Sequence, residues 1–118
     1  MPLIKVHTST IVDSNQQIIL LKQLSKHLAV QLSKPEVYVM TALDSGMAMT
    51  FGGTSDPACY IEIKSIGLLT PEQTKAMTLI FCELIEQMLG VPRSRTYIEF
   101  TNAIGPMWGW NGDTFGSG

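Results

Sequence analysis

The pair Met1-Pro2 at the head of the chain is where chemistry could begin. Initiator methionine is trimmed when a small residue follows it, and its removal would leave the Pro2 nitrogen as a secondary amine on a conformationally locked ring. An α-amino group titrates near about 7.7–8.0 in model peptides, and burial or a neighbouring cation lowers that value by disfavouring the charged form. Such an amine can act as a base at neutral pH. Proline after methionine also simply marks the start of a strand, and these two residues alone leave both readings open. If Met1 stays, the Pro2 nitrogen is an amide without a basic lone pair.

The other reactive side chains form no recognisable constellation. His7 and His27 have no carboxylate or cysteine at ligand spacing, and no serine stands in a nucleophile-elbow context. Cys59 and Cys82 lie far apart without a CxxC, which argues against a disulfide framework or a structural zinc and predicts two reduced, buried thiols. No metal site is expected. The Gly-rich link from Asp44 to Thr54 lacks the Gly-Lys-Ser/Thr ending of a phosphate loop and reads as a turn with a short edge strand.

Length and charge bound the rest. The 118 residues, 45% hydrophobic and 15% charged, suit one domain over 1–118. Eight Lys and Arg against ten Asp and Glu give a net charge of −2 with the basic residues scattered, so nucleic-acid binding is not expected. No apolar run approaches the roughly 20 residues needed to cross a bilayer, and the first residues lack the basic-then-apolar build of a signal peptide. No membrane association is expected, and the cytosol is the expected compartment.

Two amphipathic helices and four strands must position the chemistry. Leu20, Leu21, Leu24, Leu28 and Leu32 recur at helical spacing, with Ser14 and Gln17 as a capping box. Thr70, Pro71 and Gln73 open a second helix whose stripe is Met77, Ile80, Phe81, Leu84, Ile85 and Met88, and Gly90 with Pro92 ends it. Alternation predicts strands over 2–8, 37–43, 59–64 and 96–101. The order strand–helix–strand thus occurs twice, in halves of about 1–45 and 57–102, and predicts an α/β (α+β) fold: a duplicated βαβ unit with a four-stranded mixed sheet and both helices on one face.

Strand parity puts Ile98 and Phe100 toward the helices and Tyr97, Glu99 and Thr101 on the opposite face, with Glu62 and Lys64 likewise opposed to Ile61 and Ile63. That uncovered polar face either meets a neighbour or is an ordinary solvated surface. The tail 103–118 is rich in glycine and aromatics, with Trp108, Trp110 and Phe115, so it must pack on something.

Taken in order, Met1-Pro2, Ser33-Lys34-Pro35, Phe51-Gly52-Gly53-Thr54-Ser55-Asp56-Pro57, Ser65-Ile66-Gly67, Thr96-Tyr97-Ile98 and Gly109-Trp110-Asn111-Gly112-Asp113-Thr114-Phe115 resemble the tautomerase superfamily, in its branch of macrophage migration inhibitory factor and D-dopachrome tautomerase. The resemblance runs almost end to end. It implies a homotrimer with sheets facing a central channel, the tail against a neighbouring subunit, and pockets at subunit interfaces. It also implies cofactor-free keto–enol tautomerisation of aryl α-keto acids such as phenylpyruvate, with Pro2 as base. By the same resemblance Lys34 would bind the substrate's anionic oxygens and hold Pro2 neutral, and the Ser65-Ile66 segment would bind substrate through the Ile66 backbone N–H. Tyr97 would come from an adjacent subunit, and Tyr38, Trp108, Trp110 and Phe115 would wall the pocket.

Three departures from the family pattern bear on function. Glu99 replaces an asparagine near the pocket floor, where a carboxylate would repel acidic substrates unless hydrogen-bonded or protonated. Cys59 lacks its CxxC partner, so thiol redox activity is not expected. Trp108 is bulkier than the aliphatic residue of relatives and narrows the pocket. The alternatives to a tautomerase are a released signalling ligand acting through a receptor, as in animal members without signal peptides, and a trimeric small-molecule binder without turnover.

Overall fold

Burial alternates along the strands as the pleat requires. In β1 (Leu3–Thr8) Ile4, Val6 and Thr8 are fully buried, and in β3 (Cys59–Ile66) Cys59, Ile61, Ile63 and Ser65 share one face. A computed structural model describes residues 1–116, so Ser117 and Gly118 of the expected 1–118 unit and 103–118 tail lie outside the described residues. The remaining main elements are α1 (Ser14–Leu32), β2 (Met40–Asp44), α2 (Pro71–Leu89) and β4 (Thr96–Ala103). The sheet order is β2-β1-β3-β4, with β1 parallel to β2, β3 parallel to β4 and the central pair β1 and β3 antiparallel.

This is the expected doubled βαβ arrangement, with a mixed four-stranded sheet. Its core is the layer between sheet and helices. Leu20, Leu24 and Leu28 of α1 and Met77, Phe81 and Ile85 of α2 are 0% exposed and meet Ile4, Val6, Ile61 and Ile63. Each such side chain contributes roughly 1.5–3 kcal/mol by leaving water.

The second helix starts and stops on the expected residues. Thr70 Oγ1 accepts the Gln73 N–H at 3.2 Å, Gln73 Oε1 accepts the Thr70 N–H at 2.9 Å, and Gly90 closes the helix in the left-handed region. The first helix is capped differently from expectation. Asp13, not Ser14, is the cap: its carboxylate accepts the Gln16 N–H at 2.9 Å, while Gln17 donates its side-chain amide to the Val12 carbonyl instead of closing a box. A carboxylate at the helix start also meets the positive end of the helix dipole, which a serine hydroxyl does not do as well.

The second strand is shorter than the predicted 37–43. After Pro35 the chain makes a 3-10 turn at Glu36–Tyr38, closed by the Val39 N–H on the Glu36 carbonyl at 3.0 Å, and pairing begins only at Met40. The same device recurs in the other half, where Pro92 leads into a 3-10 turn at Arg93–Arg95. The strand expected inside 44–54 is absent. Gly52 and Gly53, both at positive φ, instead form a tight reversal that pairs Phe51 with Thr54. At their far ends β3 and β4 run past the predicted limits, because pairing continues to Ile66 and Ala103.

The sheet face away from the helices carries an ion network. His7 Nε2 donates to Glu62 Oε2 at 2.7 Å, Lys5 lies 3.3 Å from Asp44, and Lys64 lies 3.8 Å from Glu62. The His7 hydrogen bond, helped by Lys64, holds the Glu62 carboxyl below its ordinary range. A carboxylate lowered in this way stabilises the fold above the ordinary carboxylate range, and that contribution is lost as pH falls through the lowered value. Glu62→Gln should therefore lose less Tm than the unsubstituted protein between neutral and strongly acid pH, as scanning calorimetry across that range would read.

Candidate active site

Pro2 sits one residue before β1, buried, with its carbonyl accepting the Met40 N–H at 3.0 Å. That bond ties the head of the chain to the start of β2. Across the sheet Lys64 pairs with Leu3, so Ser65 and Ile66 run on past the same end. At the end of α1, Ser33 adopts left-handed backbone (φ 53°, ψ 44°) and the Lys34 N–H closes on the Ala29 carbonyl at 3.0 Å, which reverses the chain and leaves Lys34 half-buried. The Met1 amine at this point is held below its ordinary value, first by burial and then by the positive charge of Lys34. Both effects disfavour a cation at the head of the chain.

Pro2 lines a cleft of about 520 Å³ whose aromatic wall is Tyr38, Trp108, Trp110 and Phe115. This is the size and lining expected of a site for a small apolar ligand. Trp110 presents an edge contact to Tyr38 (centroids 5.7 Å, planes at 88°) and stacks on Phe115 (5.8 Å, 15°). The tail that supplies these rings folds as a two-stranded hairpin, β5 (Gly109–Trp110) and β6 (Asp113–Thr114), turned by Asn111 and Gly112 at positive φ. Within one chain, then, the tail's first contacts are with its own 3-10 turn at Tyr38.

Gly105 sets the wall's position. The Phe115 N–H bonds to the Gly105 carbonyl at 3.1 Å, and a Cβ built at Gly105 would lie 2.9 Å from the Phe115 carbonyl oxygen and 3.0 Å from its carbon. Alanine there must displace the backbone that carries Phe115. Overpacking of this kind costs about 1–3 kcal/mol, so Gly105→Ala should lower Tm and shift the tryptophan emission, because Trp110 loses its stacking partner.

Of the residues singled out from the sequence, Pro2, Tyr38, Trp108, Trp110 and Phe115 come together in the cleft, and the Lys34 charge acts on the amine at its edge. Ser65 lies on the helix side of the sheet, 1% exposed, with a hydroxyl that has no hydrogen-bond partner. Ile66 is half-buried at the end of β3. Neither lines the cleft. Tyr97 and Glu99 lie elsewhere. Tyr97 pairs with Tyr60, which pairs with His7, five residues beyond Pro2 and so about 17 Å along the strand. Glu99 accepts from the Tyr60 hydroxyl at 3.3 Å, and desolvation followed by the Glu99 charge raises the pKa of that phenol.

A larger groove of about 760 Å³ runs between α2 and β4, past Leu79, Cys82 and Phe100. Burial pushes both thiols up, Cys59 to about 12 with the Cys82 charge adding to the effect, so neither is a nucleophile near neutrality. The Pro2 cleft differs in bringing an amine-bearing terminus, a cation and an aromatic wall to one place. Sequence reasoning missed the cleft's aliphatic lining, Leu3, Val37, Val39 and Met40. The Asn111-Gly112 pair was a usable signal for the hairpin, since that dipeptide favours the required turn.

Comparison with known proteins agrees with this fold. The family described as macrophage migration inhibitory factor (MIF) matches residues 1–116. A macrophage migration inhibitory factor homolog of Brugia malayi is 38% identical over 96 residues, 81% of this chain and 84% of its own. Macrophage migration inhibitory factor of Xenopus laevis is 32% identical over 115 residues, 98% of this chain and 99% of its own. Among solved structures, a homologue from Prochlorococcus marinus superposes with a TM-score of 0.91 at 46% identity, covering 97% of this chain and 99% of that one. The Trichinella spiralis protein gives 0.86 at 29% identity, covering 96% and 99%. The end-to-end match, at these identities and on the same fold, shows that the chain belongs to the macrophage migration inhibitory factor family of the tautomerase superfamily.

Proposed function

We propose that this protein is a cofactor-free keto–enol tautomerase of phenylpyruvate-type aryl α-keto acids, with the Pro2 amine, freed by removal of Met1, as general base. The observation that carries the reading is the placement of Pro2, buried, in a cleft walled by Tyr38, Trp110 and Phe115, where burial and Lys34 already depress an amine one residue away. A depressed amine is neutral, and so basic, at a pH where an ordinary one is largely protonated.

The amine takes the proton from the carbon beside the ketone, the electron pair moves into a carbon–carbon double bond, and negative charge builds on the ketone oxygen. Return of the proton to that oxygen gives the enol, and the reverse path gives the ketone. Lys34 supplies positive charge for the carboxylate and for the developing oxyanion, and the Ile66 N–H, outside the cleft lining but at the same end of the sheet as Pro2, donates to a substrate that reaches past the cleft. The aryl group packs on the aromatic wall, with Trp108 narrowing it.

The active form in this reading is a homotrimer. Tyr97 and Glu99 are too far from their own Pro2 to serve it, and Tyr97 is 65% exposed on the free face, so both act in a neighbouring subunit's pocket. The Tyr60 hydroxyl bound to Glu99 then offsets part of the repulsion that a carboxylate would exert on an acidic substrate. The reading places the protein in the cytosol, in keeping with two free, buried thiols. No helix among the described residues is long and apolar enough to cross a membrane.

The test is the ketonisation of enol phenylpyruvate, followed by ultraviolet absorbance, on protein whose intact mass shows Met1 removed. The expected result is a rate well above buffer. A rate no faster than buffer from a trimmed, trimeric sample would reject the reading.

A further inference from the structure

Arg95 makes an unusual set of contacts. It stands in the 3-10 turn that leads directly into β4, two residues before Tyr97. Its Nε donates to the Pro57 carbonyl at 2.8 Å, Nη1 to that of Phe51 at 3.1 Å, and Nη2 to those of Asp56 and Thr54 at 2.9 and 3.3 Å. The guanidinium carbon also lies 5.3 Å from the centre of the Phe51 ring. All four acceptors are main-chain carbonyls of the 51–57 segment, which has no strand or helix of its own beyond the Phe51–Thr54 bridge. A planar group with five donors is suited to gathering such a loop, and a lysine ammonium is not.

The loop so gathered presents one ring outward. Phe51 packs against Tyr97, with centroids 4.9 Å apart and planes at 50°. Tyr97 is 65% exposed, so the neighbours that choose its rotamer are the Phe51 ring and the in-register Tyr60. Aromatic contacts at this separation add attraction beyond area burial and so favour one rotamer over another.

We propose that Arg95 is a positioning residue of the active site: it fixes the 51–57 loop, and through Phe51 it sets the direction in which Tyr97 is offered to the pocket of another copy of the chain. The proposal rests on the reading above, in which Tyr97 completes a neighbouring subunit's site. Its effect falls on substrate binding, because Tyr97 orients the substrate and does not carry the proton.

Steady-state ketonisation of enol phenylpyruvate by Met1-free protein tests it, with Arg95→Lys, Phe51→Leu, Phe51→Tyr, Tyr97→Leu and the double variant Phe51→Leu/Tyr97→Leu. Arg95→Lys and Phe51→Leu should each raise KM about fivefold while kcat stays within about twofold. Phe51→Tyr keeps a ring and should retain the original KM. The double variant should bind no worse than Tyr97→Leu alone, because both changes remove the same contact. If Arg95→Lys does not fold, Phe51→Leu carries the test, since it leaves the guanidinium–carbonyl bonds in place. An unchanged KM in Phe51→Leu, beside a raised KM in Tyr97→Leu, would overturn the positioning role and leave the tautomerase reading standing. An unchanged KM in Tyr97→Leu would overturn it at the level of Tyr97, and absence of turnover in the unsubstituted protein would bring down the functional reading itself.

Discussion

Replacing Pro2 by glycine in Met1-free protein lowers kcat for ketonisation of enol phenylpyruvate by about 10²–10⁴-fold, the contribution of a positioned general base. The substitution leaves a primary amine at the terminus, so the loss measures what the ring does. Proline holds its nitrogen at a fixed φ beside the cleft, whereas glycine lets it swing between the cleft and water. The fold should tolerate the change, because residue 2 still offers its carbonyl to Met40 and β1 starts only at Leu3. Assembly and melting temperature measured alongside kcat separate the loss of a base from the loss of structure. A kcat close to that of the unsubstituted protein would mean that the ring of Pro2 contributes nothing to the chemistry.

Phe81→Ala has the largest expected effect on stability. Phe81 is 0% exposed in the middle of α2, within the same core cluster as Ile61, Ile63, Leu24 and Ile85. Deleting its ring loses transfer free energy and leaves a cavity that a close-packed layer between sheet and helices fills poorly, at a cost of about 3–5 kcal/mol. Against a total of about 5–15 kcal/mol for a domain, that is a large fraction. Urea unfolding at matched protein concentration should show a lower midpoint with an unchanged slope. A midpoint within a few tenths molar of the original would mean that this layer is looser than its burial implies.

Much of the layer arrangement could be read from residues whose preferences agree with one another. In α2, Thr70, Pro71, Gln73, the Met77–Phe81–Ile85 spacing and Gly90 all specify the same helix with the same buried face, and the structure uses each of them. Strand parity separated Tyr97 and Glu99 from Ile98 and Phe100 correctly, because a one-residue slip would have buried the charges. Where several residue types could do one job, the sequence was ambiguous. Asp13 and Ser14 are both capping residues one position apart, and only the geometry of the Gln16 N–H selects the aspartate. Val37 and Val39 alternate like a strand, but Pro35 fixes the entry so that a 3-10 turn forms first.

The site was legible in part, and for a different reason. Nothing in the spacing of Pro2, Lys34, Tyr38 and Trp110 places them together; the parallel β1–β2 pair does so, by bringing residue 2 beside residue 40, and the Asn111-Gly112 turn returns Trp110 and Phe115 to Tyr38. These are long-range pairings that local periodicity does not encode. Their roles were read from resemblance to a family. The anchoring of Phe51 by Arg95 had no local signal, because a guanidinium that binds carbonyls leaves no charge partner in the sequence to reveal it.

Titrating the Pro2 nitrogen itself tests its role as the base most directly. Met1-free protein labelled with ¹⁵N at proline, observed by NMR across pH and assayed for kcat/KM in the same buffers, compares the charge on that atom with the rate. The expected result is a Pro2 pKa below the ordinary α-amino range of about 7.7–8.0, with kcat/KM rising as the amine loses its proton. An ordinary or raised pKa, or a rate that does not change through the Pro2 titration, would contradict it.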